Sequence, residues 1–108
     1  MTALTSLFLK PMVARGTGRI LNVASLAAFQ PLPSMAVYAA SKAYVLSLTE
    51  ALAEELRGKG ITVSALCPGF TDTNLVYNAK RENAAFRALP SALMADPKSV
   101  AQMAVALA

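Results

Sequence analysis

Apolar residues recur at helical spacing in three parts of this chain and run together in two others. Between Thr2 and Ala14, the residues Leu4, Leu7, Phe8, Met12 and Val13 predict a helix. Thr2 or Thr5 is its expected cap, and Pro11 is expected to strain its last turn. Gly16-Thr17-Gly18 breaks the pattern. GRILNVAS, from Gly18 to Ser25, is a short apolar run between turn residues, which predicts a strand buried on both faces. Pro31 and Pro33 keep 26–33 a loop. Met35 to Arg57 is rich in Ala, Leu and Glu and predicts a long helix, stopped by Gly58 and Gly60. ITVSAL, Ile61 to Leu66, is a second buried strand ending at Cys67-Pro68-Gly69. Asp72 to Leu89 is expected to be helical in part and mobile. Pro97 to Leu107 predicts a final helix, with Asp96 as N-cap and Pro97 at its first position.

The order helix, strand, helix, strand, helix is that of an α/β layer architecture. Strands joined through a helix of this length need a crossover and therefore lie parallel. Two parallel strands do not make a stable sheet unaided, so the expectation is the second half of a doubly wound fold, within a single domain. Composition points the same way. At 108 residues and 56% hydrophobic, the chain holds more apolar side chain than a small domain buries alone. The excess implies a piece of a larger core, or a subunit covered by a partner.

Other classes fall away. No apolar run approaches the roughly 18–20 residues of a membrane-spanning helix, and the first fifteen residues lack the pattern of a signal peptide. One cysteine precludes an intramolecular disulfide framework and fits a reducing, cytoplasmic setting. With no histidine, the chain can form neither a histidine triad nor a histidine-ligated metal site. The net charge is +4, but the ten basic residues are scattered and not interleaved with aromatics, unlike a nucleic-acid stripe.

One nearly uncharged stretch, SMAVYAASKAY, carries the chemistry. Tyr38 and Lys42 are four residues apart and share a helix face. An ammonium one turn away favours the phenolate form, so that Tyr38 can act as a general acid or base. Ser25 lies thirteen residues earlier, at the carboxyl end of the first strand. Pro68-Gly69 occupies the matching end of the second. Ligands of open parallel sheets bind outside those ends. Each group also has a plainer use. Tyr38 and Lys42 could be a packed surface pair, and Ser25 a loop-initiating cap. Thr71 and Thr73 could cap a following helix. Tyr44 is expected to pack or to line a substrate rim, and Cys67 to be a small core hydrophobe.

NVAS (Asn22–Ser25), YAASK (Tyr38–Lys42) and CPGFTDT (Cys67–Thr73) together resemble the signature of the short-chain dehydrogenase/reductase family, over nearly the whole chain. The resemblance implies a Rossmann-like fold and an oxidoreductase using NAD or NADP. Hydride would pass between the nicotinamide and a carbonyl or secondary alcohol. Tyr38 would be the catalytic acid/base, Lys42 its tuner and a ligand of the nicotinamide ribose, and Ser25 the group that polarises the carbonyl. Pro68, Gly69, Thr71 and Thr73 would lie along the cofactor, and Asn22 would be structural. Family members pair through two helices of each subunit, which implies a homo-oligomer built on the long helix.

The glycine-rich phosphate turn of the family is missing. Gly16-Thr17-Gly18 precedes a strand, whereas that turn follows one and opens a helix. The expectation is therefore that residues 1–108 are the C-terminal part of one NAD(P)-binding domain of about 250 residues. The alternative is an inactive remnant that serves only as a helix-mediated interaction piece.

Overall fold

The computed structural model describes residues 1–71 and 94–107. Its elements are α1 (Thr2–Arg15), β1 (Gly18–Val23), a 3-10 turn (Leu26–Phe29), α2 (Ala36–Glu55), β2 (Ile61–Leu66) and α3 (Pro97–Leu107). The expected helical part of Asp72 to Leu89 lies outside the described residues, as does Thr73. No helix among the described residues is long and apolar enough to cross a membrane.

β1 and β2 pair in parallel, from Gly18 opposite Ile61 to Val23 opposite Leu66. The apolar runs thus form the two expected strands, joined through α2. They are not buried on both faces. Ile20, Asn22, Ile61 and Val63 face the helices. On the other face Arg19, Val23 and Thr62 are exposed, while Leu66 is buried. Both α1 and α2 pack on one side of the sheet, so alternate residues meet different surroundings. The core is Leu56, the C-cap of α2, with Ile61 and Val63, flanked by Leu9 and Met12 of α1 and Ile20 of β1.

The helix ends follow local chemistry. α1 runs through Pro11 for four further residues and closes on Gly16, whose φ of 71° is left-handed. Neither threonine caps its start: Met1 is the N-cap, without a side-chain bond. Thr5 is buried, and the Thr2 hydroxyl is instead 2.6 Å from that of Tyr44 on α2. α2 starts one residue after Met35 and stops at Glu55, two residues short of the expected Arg57. Arg57 falls in the closing turn, paired with Glu54. At α3, the Asp96 carboxylate accepts from the Ser99 N–H at 3.0 Å, as an N-cap should.

The two ends of the sheet differ. At the amino end, Gly60 (φ 75°) lies against Gly16, and a Cβ there would stand 1.9 Å from the Gly16 carbonyl oxygen. At the carboxyl end the chains stay tied after the strands finish. Ala24 donates to the Leu66 oxygen at 2.8 Å, and Leu26 donates to the Pro68 oxygen at 3.0 Å. That end carries the candidate site residues.

Candidate functional site

Ser25 leaves β1 in an extended conformation and caps the 3-10 turn, its Oγ accepting from the Ala27 N–H at 3.1 Å. The capping and polarising uses of Ser25 are compatible. The oxygen is fixed by the backbone, and the hydroxyl hydrogen stays available to a ligand oxygen. Leu26 N–H on Pro68 O then holds this serine's turn against the segment that follows β2.

Tyr38 and Lys42 stand one turn apart on α2, which small residues allow to lie close to the 3-10 turn. The Lys42 ammonium is 5.8 Å from the centre of the Tyr38 ring, within cation–π range. It also donates to the Val23 oxygen at 3.3 Å, at the last residue of β1 and two before Ser25. Tyr38 is 38% exposed, and its hydroxyl has no hydrogen-bond partner among the described residues. An unengaged phenol, a cation and an oriented hydroxyl are thus gathered where β1 ends. These groups can donate a proton to a carbonyl oxygen, hydrogen-bond it and neutralise the charge left behind.

The Pro68-Gly69 turn borders this edge. Gly69 is exposed, and a Cβ on it would meet Leu26 Cδ1 at 3.3 Å. Thr71 donates its hydroxyl to the Gly69 oxygen at 3.3 Å, and its backbone bridges Ala95 in parallel. Its hydroxyl thus steadies the turn, and the following helix that it could cap lies outside the described residues. Cys67 is half-buried, and no cluster of three metal-ligating side chains occurs among the described residues.

A nicotinamide dinucleotide fits these residues on one side only. Lys42 spends one of its three donors on Val23, leaving two for hydroxyls, and the exposed Gly69 leaves bare backbone beyond the end of β2. The chain has no glycine-rich turn between a strand and a helix to receive the pyrophosphate.

Two buried polar residues complete the arrangement. Asn22 of β1 donates from Nδ2 to Thr49 Oγ1 at 2.9 Å, and Thr49 donates to the Val45 oxygen at 2.7 Å. Asn22 is structural, as expected. Thr49 has no local signal in the sequence beyond being the polar residue between Val45 and Leu52 on the Lys42 face of α2.

Comparison with known proteins supplies a family. A family model described as short chain dehydrogenase matches residues 1–84. Ketoacyl reductase HetN of Nostoc sp. is 39% identical over 94% of the chain, which covers 34% of that protein. The 3-oxoacyl-acyl-carrier-protein reductase FabG of Vibrio cholerae is 33% identical over 99% of the chain, covering 47% of its length. The solved gluconate 5-dehydrogenase of Burkholderia cenocepacia, in complex with NADP and tartrate, superposes with a TM-score of 0.81 at 29% identity. There 96% of this chain matches 42% of that one. The chain therefore spans a third to a half of these relatives' length, and within that span it belongs to the short-chain dehydrogenase family.

Proposed function

We propose that the chain carries the acid–base and nicotinamide-side groups of an NAD- or NADP-dependent oxidoreductase acting on a carbonyl or secondary alcohol. The observation that carries this reading is the meeting of α2 with the end of β1. There Lys42 donates to the Val23 oxygen and stands by the Tyr38 ring, and the Ser25 oxygen, two residues on, is fixed by the Ala27 N–H. In the reducing direction, Ser25 donates a hydrogen bond to the substrate carbonyl oxygen. Tyr38 gives its phenolic proton to that oxygen as the carbon is reduced. The ammonium of Lys42 offsets the phenolate charge until solvent returns a proton. When bound, the reduced nicotinamide supplies the hydride. Pro68, Gly69 and Thr71 shape the edge against which its ring would lie. Ketoacyl reductases among the relatives favour a ketone substrate. The single cysteine favours a cytoplasmic setting.

A second reading has its own support. Leu4, Leu7 and Phe8 of α1 and Val37 of α2 are exposed. Large apolar side chains exposed on a helix ask for cover, and pairing with a second copy through α1 and α2 would supply it. The chain could then act as an interaction piece alone.

The deciding experiment is a hydride-transfer assay of the purified chain with NADH and NADPH against β-keto esters and simple ketones. Its controls are Tyr38→Phe and sedimentation to give the assembly state. Turnover lost by about 10³-fold in Tyr38→Phe is expected. Turnover that survives the substitution sinks the acid–base assignment. Stable dimers with no turnover favour the interaction reading.

A further inference from the structure

We propose that Thr49 is a positioning residue, which sets the register of α2 on β1 and thereby the places of Lys42 and Tyr38. The proposal rests on the reading of Tyr38 and Lys42 as an acid–base pair only for its kinetic consequence.

Tyr38, Lys42, Val45, Thr49, Leu52 and Leu56 follow one another at steps of four and three, so they form one stripe down α2. The stripe is chemically graded. Its upper end reaches over the carboxyl end of β1 through Lys42. Its lower end is apolar and packs with Ile61 and Val63 in the core. Between them sits Thr49, only 1% exposed, the largest fully buried side chain among the described residues. It meets Asn22, itself 8% exposed. Two polar residues facing each other inside an apolar interface add little net stability over apolar ones of like shape. What they add is direction.

A hydrogen bond weakens steeply with angle and distance, whereas an apolar contact can slide. Moving a helix by one residue means about 1.5 Å of translation and about 100° of rotation. Either change would break the 2.9 Å bond between Asn22 and Thr49. It would also draw Lys42 from the Val23 oxygen, the residue next to Asn22. Lys42 cannot fix the helix itself, because its ammonium lies at the end of a flexible stem. Thr49 can. Its side chain is short and β-branched. Its oxygen is held at both ends, accepting from Asn22 and donating to the Val45 carbonyl one turn back. The same strand therefore fixes the helix through Asn22 and receives its functional end through Val23.

The test reads the Lys42–Tyr38 geometry directly. In the full chain labelled with ε-13C lysine, the Lys42 ε-methylene, assigned with Lys42→Arg, should lie upfield of the other lysines through the Tyr38 ring current. Tyr38→Leu should abolish the displacement. Thr49→Val should reduce it by about half or more, and Thr49→Ser, which keeps the hydroxyl, should restore it. If Thr49→Val alone does not fold, the double variant Asn22→Leu/Thr49→Val removes both polar partners and serves in its place. Where the chain turns over, Thr49→Val should lower kcat about tenfold or more with little change in ketone KM, while Thr49→Ser stays within about twofold. A folded Thr49→Val or double variant with an unmoved Lys42 resonance overturns the proposal. So does a wild-type resonance that Tyr38→Leu leaves in place. Absence of turnover in the wild type bears on the oxidoreductase reading and leaves the resonance test decisive.

Discussion

Lys42 and Val23 meet at the carboxyl end of β1, the lysine Nζ donating to the valine backbone oxygen across 3.3 Å. The bond joins a helix to the strand that precedes it and parks a cation beside an unengaged phenol. Lys42→Met should therefore remove a functional charge more than a structural tie. Turnover is expected to fall about 10²-fold or more. Stability should change by less than about 1 kcal/mol, because such contacts at partly solvated sites are weak. Lys42→Arg should recover only part of the activity, since a planar fork does not replace a compact ammonium. Paired measurements of kcat and of the urea midpoint check this. Losses of the two in proportion would mean that Lys42 holds the fold and not the chemistry.

Ser25 has an observed capping use and a proposed polarising one, and substitution can separate them. Ser25→Ala removes the cap on Ala27 N–H and the donor to a carbonyl, so about 1 kcal/mol of stability and about 10²–10³ in kcat should be lost together. Ser25→Asp keeps an acceptor for Ala27 but has no hydroxyl hydrogen to give when ionised. It should hold the stability of the wild type and remain inactive. Activity in the aspartate variant would remove Ser25 from the proposed mechanism.

Thr2 and Tyr44 tie α1 to α2 across 42 residues of sequence. The bond is exposed, so Tyr44→Phe should cost no more than about 1 kcal/mol. A double-mutant cycle with Thr2→Val isolates the pair. A coupling near zero would mean that water replaces the bond in solution.

Much of this arrangement was legible in local patterns. Ile61 to Leu66 stood out because an apolar run is bounded by Gly60 and by Cys67-Pro68-Gly69, and the strand has those bounds. Asp96 before Pro97 foretold the start of α3. The spacing of Tyr38 and Lys42 placed both on one face of α2. Long-range choices were less accessible. Thr2 looked like a cap because nothing nearby shows that Tyr44 will claim its hydroxyl. The Thr71–Ala95 bridge joins segments 24 residues apart and leaves no local trace. The sheet looked buried on both faces because hydrophobicity states what a strand tolerates, whereas the packing of neighbours decides which face is covered. Thr49 was hidden for a related reason: a lone threonine in a helix is common, and only the opposing Asn22 gives it meaning.

Ser34 is the one non-glycine residue with a positive φ, 66°, among those described. It follows Pro33, and the Met35 N–H donates to the Leu32 oxygen at 3.1 Å. Proline second and a left-handed residue third are the marks of a type II turn, which ordinarily takes glycine at the third position. This turn delivers the chain into α2, two residues before Ala36 and four before Tyr38. The left-handed conformation costs a side-chain-bearing residue roughly 1–2 kcal/mol. Glycine would relieve that cost but return part of it as added freedom of the unfolded chain, about 0.4–1 kcal/mol. Ser34→Gly should thus stabilise the protein by about 0.5 kcal/mol and raise Tm by about 2–4 °C. Ser34→Val, branched at Cβ, should do the opposite by a larger amount. Thermal unfolding of the three proteins by circular dichroism would rank them. A serine protein more stable than its glycine variant would show that the Ser34 side chain makes up for its backbone conformation.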